Sequence, residues 1–336
     1  MGDPTPSEAP LTAGGRSRRN WLGWALAAFI MAGLAVVLDL GEVAAVLGRV
    51  RPLEIAGILV VFTLDRLLMA WKWSILLQAV GVRLPLGTIT RFYYQGTLSG
   101  TFMPSHVGGD LLRAHWVAQA SGVRAPVFAS VVMEKLIGLL SAANWAVVGL
   151  VVFAVVMHGE LWWIWVGLGI LALVAGNGLF VLSMRPAVHD FVLGRLGRWG
   201  GTSRFVSLLH RFYEAYARYG NAPRAVNLNI LLTLIAHGTQ MVVILLIARS
   251  VGIDVGTVAF LAVTAVHTLV YRLPIAPDGW GVGELAAIGL YGQIGVGAEA
   301  AFSMMFLAHL LQMAVVLPGL WFLLRGDRRP SPARTR

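Results

Sequence analysis

The chain of 336 residues is strongly apolar, with 57% hydrophobic and 12% charged residues and a mean hydropathy of +0.75. Soluble domains carry about 25% charged residues, so this composition excludes an ordinary soluble enzyme and predicts a membrane protein. The net charge of +10 does not indicate nucleic acid, because the basic residues lie at helix ends and in loops, as the positive-inside rule requires. The sequence contains no cysteine, which excludes disulfides and thiolate sites.

Six apolar segments are each long enough to cross a bilayer, which takes about 20 residues. The first follows a Pro-, Gly- and Ser-rich tail. It is longer than the apolar core of a signal peptide, so we expect an uncleaved span. The second contains Asp65, Arg66 and Lys72, whose charges we expect to face the helix bundle and to pair between helices. The six segments are residues 21–40, 53–80, 125–157, 161–184, 225–247 and 298–324.

Two further segments lie between these spans and resemble each other. Each opens on Gly-Thr and runs to a proline (Pro104, Pro274), a glycine cluster, an acid (Asp110, Glu284) and a closing Gly-Val. Pairs of broken apolar segments are typical of membrane transporters, where they line the binding site. We therefore predict an all-α polytopic membrane protein with six full spans and two broken, re-entrant helical hairpins. The alternative is eight or more spans, if each broken segment crosses twice.

A basic linker separates the two halves. It holds seven arginines and two acids, which predicts an amphipathic helix on the anionic cytoplasmic surface. Both tails and the linker lie on the cytoplasmic side when each broken segment adds an even number of crossings. The two broken segments then enter from opposite faces, which makes the repeat inverted. The predicted organisation is a cytoplasmic tail 1–19, one transmembrane domain 20–325 with repeats at about 53–184 and 225–325 around the linker 185–224, and a cytoplasmic tail 326–336.

Four stretches together carry a resemblance to a known family. They are Arg66 with WKWSILL (71–77), GTFMPSHVGGDLLR (100–113), VVMEKLIGLL (131–140) and RLPIAPDGWGVGE (272–284). In this order they resemble the flippase-like transmembrane domain of lysylphosphatidylglycerol synthases and its stand-alone relatives, over about residues 20–325. The resemblance implies movement of a phospholipid, or of a hopanoid- or glycolipid-related polar lipid, across the bacterial inner membrane. The sequence lacks the soluble aminoacyl-transfer domain, so we expect no lysyl transfer.

The ionisable residues beside the two breaks are the candidate binding groups. Asp110 and Arg113 are three residues apart and share a helix face. Their spacing fits two alternatives, a local ion pair and a phosphate-binding site. Because a lipid-facing charge costs about 2.5 to 3.5 kcal/mol, we favour Arg113 as the phosphate ligand, with Asp110 orienting it or carrying a proton. Arg272 and Glu284 are the corresponding pair of the second repeat, with snorkelling and helix capping as their structural alternatives.

Glu134 and Lys135 are adjacent, so they point to different sides of their helix and each needs a partner elsewhere. His237 and His267 lie within apolar segments, where a packing histidine is the more frequent case, and we leave them out of the site. The predicted substrate-binding residues are Gly108, Gly109, Asp110, Arg113, Glu134, Arg272, Gly281, Gly283 and Glu284.

Two functions of different class fit these residues. The first is a lipid carrier working by alternating access, without enzymatic activity. The second is an integral-membrane transferase with Asp110, Glu134 or Glu284 as general base. The near-symmetry of the two halves favours the carrier. We expect no cofactor. We also expect no metal, because no fourth ligand lies at a suitable spacing to join His106, Asp110 and His115. The expected partners are membrane lipids with anionic headgroups and not nucleic acid. The sequence leaves open whether the protein forms a homo-oligomer.

Overall fold

The computed structural model is helical, and no β-strand occurs in the part of the chain that it describes. This confirms the predicted all-α class. The structure describes residues 14–103, 106–157, 160–185, 187–188, 191, 194–195, 204–272 and 279–325. The helices are α1 (Gly14–Val37), α2 (Leu40–Leu47), α3 (Pro52–Ala79), α4 (Leu86–Thr101), α5 (His106–Ser121), α6 (Ala125–Met157), α7 (Glu160–Ser183), α8 (Arg204–Ala217), α9 (Pro223–Ser250), α10 (Thr257–Tyr271), α11 (Val282–Gly292), α12 (Ala298–Val316) and α13 (Pro318–Leu324), with a 3-10 turn at Arg218–Asn221.

Four helical segments have the length and apolar composition of membrane spans. The shortest has 22 residues, and about 20 suffice to cross the hydrocarbon core. They confirm four of the six predicted spans and make the chain a multi-pass membrane protein. The four are Ala125–Val156 in α6, Trp162–Ser183 in α7, Pro223–Ser250 in α9 and Ala298–Leu324, which joins α12 and α13.

The predicted first span is bent. Helices α1 and α2 together are long and apolar enough to cross, but they meet at an angle of 96°. The bend follows from Asp39, whose carboxylate accepts hydrogen bonds from the backbone N–H groups of Gly41 (2.8 Å) and Glu42 (3.2 Å) and so begins a new helix. By length and composition the pair is one broken span or a re-entrant loop.

Helix α3, the predicted second span, has 28 residues and therefore a length of about 42 Å, enough to cross. Its charged residues set it apart from the four apolar spans. Lys72 is only 2% exposed, and Arg66 forms an ion pair of 2.9 Å with its neighbour Asp65. These charges are turned into the bundle, as predicted, but the pair of Arg66 with Asp65 forms within one helix, not between helices.

Each broken segment forms two short helices that pack on each other, α4 with α5 and α10 with α11. They have 16, 16, 15 and 11 residues, fewer than the roughly 20 that a crossing needs. The predicted breaks at Pro104 and Pro274 lie outside the described residues. The helix lengths fit half-crossings, while the total number of crossings stays a prediction.

Two glycines allow helices of different halves to approach closely. A Cβ atom on Gly149 of α6 would lie 2.4 Å from the carbonyl oxygen of Ala262 in α10. A Cβ atom on Gly319 of α13 would lie 2.6 Å from the carbonyl oxygen of Tyr94 in α4. No larger residue fits at these distances, and small residues of this kind permit close helix packing in membranes. The first helix of each broken segment therefore packs on the span that follows the broken segment of the other half.

The linker contains the predicted amphipathic helix in its described part, as α8. Helix α8 packs on α6, and Tyr216 Oη lies 2.8 Å from Ser183 Oγ. Just beyond it, Tyr219 donates a hydrogen bond of 3.0 Å to the carbonyl of Leu76 in α3. The bundle therefore covers part of this segment, and its contact with anionic lipid stays a prediction.

Candidate functional site

Arg113 of α5 is enclosed by two carboxylates. Its Nε and Nη2 donate to Asp110 Oδ1 at 3.0 and 2.8 Å, and Nη2 donates to Glu134 Oε2 at 2.5 Å. The side chain is only 2% exposed. Charge-assisted hydrogen bonds are stronger than neutral ones, and three of them here fix the guanidinium in one geometry. Three of the predicted site residues thus form one network between α5 and α6.

Two aromatic rings complete the enclosure of Arg113. Its guanidinium carbon lies 4.3 Å from the ring centroid of Trp73 and 4.6 Å from that of Tyr93, within the range of cation–π attraction. Trp73 is itself held by a hydrogen bond of 3.0 Å from its indole N–H to Ser130 Oγ. Arg113 is therefore a buried structural centre that joins helices α3, α4, α5 and α6.

Lys135 binds the same carboxylate from the accessible side. Its Nζ lies 2.6 Å from Asp110 Oδ2, and its side chain is 52% exposed. The neighbouring Glu134 contacts Arg113 instead. The prediction that Glu134 and Lys135 do not pair with each other and find separate partners is confirmed. Both partners lie on α5, however, so the two side chains reach the same neighbouring helix and not different sides of the bundle.

The glycines of the first break bring α4 and α5 together. A Cβ atom on Gly109 would lie 2.3 Å from the carbonyl oxygen of Gly96 and 2.8 Å from the Cα atom of Gly100. A Cβ atom on Gly108 would lie 2.3 Å from Met103 Sδ. In the structure, Gly108 and Gly109 therefore have a packing role. Gly109 in addition reaches the wall of the cavity described next.

A cavity of about 130 Å³ opens beside this network, between helices of both halves. Water occupies about 30 Å³ per molecule in the liquid, so the space holds a few waters or one phosphate-sized group and not a whole lipid. Charged and polar side chains contribute much of its wall, and Arg113 lies behind Asp110. The polar lining residues are Arg66, Thr97, Thr101, Asp110, Lys135 and Gln312.

Two of the lining charges lie well inside long helices. Lys135 follows the start of α6 by about ten residues and Arg66 follows the start of α3 by about fourteen, which places them about 15 and 21 Å along their helices. Ionisable residues within the helices of a membrane bundle are rare and usually functional.

The second break holds a buried chain of three polar side chains. Glu284 is 0% exposed and His309 2% exposed. His309 Nδ1 lies 2.7 Å from Glu284 Oε1, and His309 Nε2 lies 2.9 Å from the hydroxyl of Tyr271. Trp280 stacks on the imidazole, with ring centroids 4.5 Å apart. We call Glu284, His309 and Tyr271 the relay.

Glu284 also caps its own helix. Its Oε2 accepts a hydrogen bond of 2.7 Å from the backbone N–H of Gly281, as the capping alternative predicts. Gly281 has a φ of 78°, a conformation that favours glycine, and a Cβ atom there would lie 3.0 Å from Ile30 Cβ. A Cβ atom on Gly283 would lie 3.0 Å from the ring of Tyr271. The structure places both glycines in the packing of this turn.

Arg272 and Glu284 do not form the expected pair. Arg272 Nη2 lies 2.5 Å from His237 Nε2, and His237 Nδ1 lies 2.9 Å from Ser141 Oγ. Among the described residues no carboxylate forms an ion pair with Arg272. A Cβ atom on Gly138 would lie 3.6 Å from Arg272 Nη1, so the guanidinium lies about one turn along α6 from Lys135.

Several groups of the site were not predicted from the sequence. The sequence predicts a pairing role between helices for Arg66, does not include Lys135 among the binding residues, and singles out neither His309 nor Tyr271. One signal was available: His309 follows Glu284 by 25 residues, the same spacing at which Lys135 follows Asp110. Side chains of the described residues form no cluster of three or more His, Asp or Glu groups able to hold a metal ion, and the side chain of His106 lies outside the described set.

The comparison with known families bears directly on these residues. A family model described as the lysylphosphatidylglycerol synthase TM region matches residues 20–319, which includes both breaks and every site residue named above. A search of curated proteins finds no match for this chain. Since the matched region covers most of its length, the chain belongs to the family of lysylphosphatidylglycerol synthase transmembrane regions.

Proposed function

We propose that this protein is a lipid carrier that moves an anionic or otherwise polar membrane lipid between leaflets by alternating access, and that it is not an enzyme. Family membership supports a lipid-related membrane function. The observation that carries the proposal is the cavity between the helices with Arg66 and Lys135 in its wall. A headgroup phosphate fits that volume, while the acyl chains stay in the surrounding lipid.

The balance of charge favours an anionic ligand. Among the described residues, neither Lys72 nor Arg272 forms an ion pair with a carboxylate. Uncompensated cations within a membrane bundle are costly, and a phosphate would offset that cost. The charged groups of the inner bundle are the cations Arg66, Lys72, Arg113, Lys135 and Arg272 and the carboxylates Asp65, Asp110, Glu134 and Glu284.

Lys135 is the group best placed to bind the headgroup. It reaches the cavity, whereas Arg113 is held behind Asp110 by two carboxylates and two rings. In the proposed cycle Lys135 exchanges its contact with Asp110 for the lipid phosphate, and Arg272 approaches from α10. Asp110 is kept in place by Arg113 throughout, so the empty site stays electrostatically balanced.

Two equivalent contacts support an inverted repeat as the moving framework. Gly149 of α6 meets the carbonyl of Ala262 in α10, and Gly319 of α13 meets the carbonyl of Tyr94 in α4. In the first contact the glycine belongs to the first half and the carbonyl to the second. In the second contact the two halves have the opposite roles, as an internal two-fold relation requires. Rocking of one half against the other at these contacts would expose the cavity to each leaflet in turn. We place the protein in the bacterial inner membrane with both termini in the cytoplasm.

The relay gives a specific reason to keep a second candidate, an integral-membrane transferase. A carboxylate, an imidazole and a hydroxyl in series are the arrangement that activates a nucleophile in many enzymes. Here the hydroxyl belongs to Tyr271 and the base to His309. A transferase of this kind would alter the lipid headgroup, and the carrier would leave it unchanged.

The test is reconstitution in liposomes that contain trace lipids with fluorescent acyl chains and different headgroups. Dithionite quenching measures exchange between leaflets, and mass spectrometry measures headgroup modification. We expect exchange of anionic lipids that falls at least tenfold in Lys135→Gln and Arg272→Ala, with no modification. The control is Arg211→Gln on the exposed face of α8. Unchanged exchange in both site variants, or modification without exchange, would overturn the carrier.

A further inference from the structure

The two halves carry equivalent acid–base pairs that differ in one chemical respect. In each, the acid begins the second helix of the broken segment and the base follows 25 residues later on the next span, as Asp110 with Lys135 and Glu284 with His309. A lysine is cationic at neutral pH, whereas an imidazole exchanges its proton between about pH 5 and 8. Of the two pairs, only that of the second half therefore contains an imidazole, the side chain that proteins use for proton exchange near neutral pH.

The hydrogen bonds of the relay leave room for one more proton. Both oxygens of Glu284 already accept hydrogen bonds, from Gly281 N–H and from His309 Nδ1. The neutral imidazole then presents Nε2 as an acceptor for the hydroxyl of Tyr271. When Nε2 is protonated, it donates to the same hydroxyl oxygen. The hydrogen bond between His309 and Tyr271 can therefore be kept in either protonation state, and the protonated imidazole places a positive charge beside the buried carboxylate.

The relay joins the parts that alternating access must move. Tyr271 ends the first helix of the broken segment, Gly281 and Glu284 begin the second, and His309 lies on the span that follows. The next turns of that span carry Gln312 into the cavity wall. A change of charge at His309 therefore acts both on the break and on a helix that lines the cavity.

The other titratable groups around the relay are few on the nearest helices. His267 of α10 lies beside it, with Nε2 3.0 Å from the carbonyl oxygen of Gly283. Helix α1 contributes no titratable group among its described side chains. Helices α2, α3, α4 and α9 also pack on α12. Their titratable residues are Glu42, Glu54, Asp65, Arg66, Lys72, Arg91, Tyr93, Tyr94, Arg224, His237 and Arg249.

We infer that the relay of Glu284, His309 and Tyr271 is a proton-binding site that couples lipid movement to a proton gradient; this rests on the proposed carrier function. In each cycle one proton from one aqueous side forms an N–H bond at His309, and the same proton returns to water on the other side. No other bond forms or breaks. The first half, with Lys135 in the equivalent place, binds the headgroup and does not exchange protons.

The wild-type protein tests this directly. Proteoliposomes with internal pyranine are clamped at zero membrane potential by valinomycin and equal potassium, and a gradient of one pH unit is imposed. At one proton per lipid the gradient drives an imbalance of labelled lipid between leaflets of up to about tenfold, since one pH unit corresponds to a factor of ten. Pyranine should report proton movement that depends on the lipid.

The outcomes separate the two proposals. Exchange that proceeds with equal leaflet distributions, with and without the gradient, overturns proton coupling and leaves the carrier standing. No exchange in either condition overturns the carrier, and proton coupling with it. A lipid imbalance that follows the sign of the gradient supports both.

Two variants test whether the proton coupling takes place at the relay. His309→Gln keeps a hydrogen-bonding side chain but cannot titrate, so we expect exchange without response to the gradient. Tyr271→Phe removes the hydroxyl and should reduce the response while leaving the imidazole. The control is His210→Gln, an exposed histidine on α8, which should retain the full response. A full response in His309→Gln would overturn the assignment to the relay, and the wild-type experiment decides the coupling even if this variant does not fold.

Discussion

Lys135 and Arg113 bind opposite oxygens of the same carboxylate, that of Asp110, from opposite sides. Lys135 Nζ lies 2.6 Å from Oδ2, and Arg113 Nη2 lies 2.8 Å from Oδ1. One cation is 52% exposed toward the cavity and the other 2%. Two residues of equal charge therefore differ in accessibility, and on this difference we propose a ligand-binding role for Lys135 and a structural role for Arg113.

The first prediction separates these roles by substitution. Arg113→Met removes the ion-pair partner of Glu134 and leaves Asp110 with Lys135 alone. Breaking a buried ion network of this kind costs about 3 to 5 kcal/mol. We expect a large loss of thermal stability in detergent, measured by fluorescence-detected size exclusion. Lys135→Gln should change the free energy of unfolding by less than about 1 kcal/mol, because exposed pairs contribute little, yet lower lipid exchange. Equal effects of the two variants on stability would contradict this assignment.

Arg272 offers a second contrast with Arg113. Its one described side-chain partner is His237, so Arg272→Ala removes a cation without stranding a carboxylate. We expect nearly unchanged stability and at least tenfold slower exchange of anionic lipids, with a smaller effect on zwitterionic ones. Arg272→Lys keeps the charge and should recover part of the exchange. If Arg272→Ala destabilises the protein as strongly as Arg113→Met, the guanidinium is structural.

The glycine contact between α4 and α5 leads to a stability prediction. A methyl group at Gly109 would lie 2.3 Å from Gly96 O, and overpacking of this kind costs about 1 to 3 kcal/mol. Gly109→Ala should therefore lower the unfolding temperature. Gly87→Ala is the matched control, because its Cβ atom meets nothing within 4 Å and alanine favours a helix by about 1 kcal/mol. A neutral Gly109→Ala would show that the two helices separate easily.

The contacts between the halves predict a symmetric effect. Gly149→Ala and Gly319→Ala each place a methyl group against a carbonyl of the other half, and both should slow exchange to a similar degree. Gly167→Ala on α7, which meets nothing within 4 Å, serves as control. Loss of exchange in only one of the two variants would argue against equivalent halves.

The absence of cysteine from the sequence makes the cavity accessible to chemical mapping. A cysteine in place of Thr97, in the cavity wall, should react with a charged, water-soluble thiol reagent. A cysteine in place of Ser303, which is 0% exposed, should not react. Reaction is measured by mass spectrometry of the protein in proteoliposomes. An unreactive Thr97→Cys would show that water does not reach the cavity.

Local patterns were sufficient for much of the fold. Four apolar spans appear where the sequence predicts them, because a run of about 20 apolar residues is an autonomous signal in a bilayer. The two broken segments also appear as short helix pairs. The bend at Asp39 was missed, since a single capping residue inside an apolar run interrupts a helix only when its side chain turns back on the backbone.

For the candidate site, the contributions of sequence and tertiary structure are different. The sequence by itself determined which ionisable residues enter the membrane, because charges in apolar runs are rare and must be satisfied there. Only the tertiary structure decided which of them meet: Arg113 is closed off by Trp73 and Tyr93, Lys135 reaches the cavity, and Glu284 pairs with His309 and not with Arg272. Ion pairing between helices depends on their mutual rotation and approach, and these follow from packing contacts far apart in the chain that local periodicity does not encode.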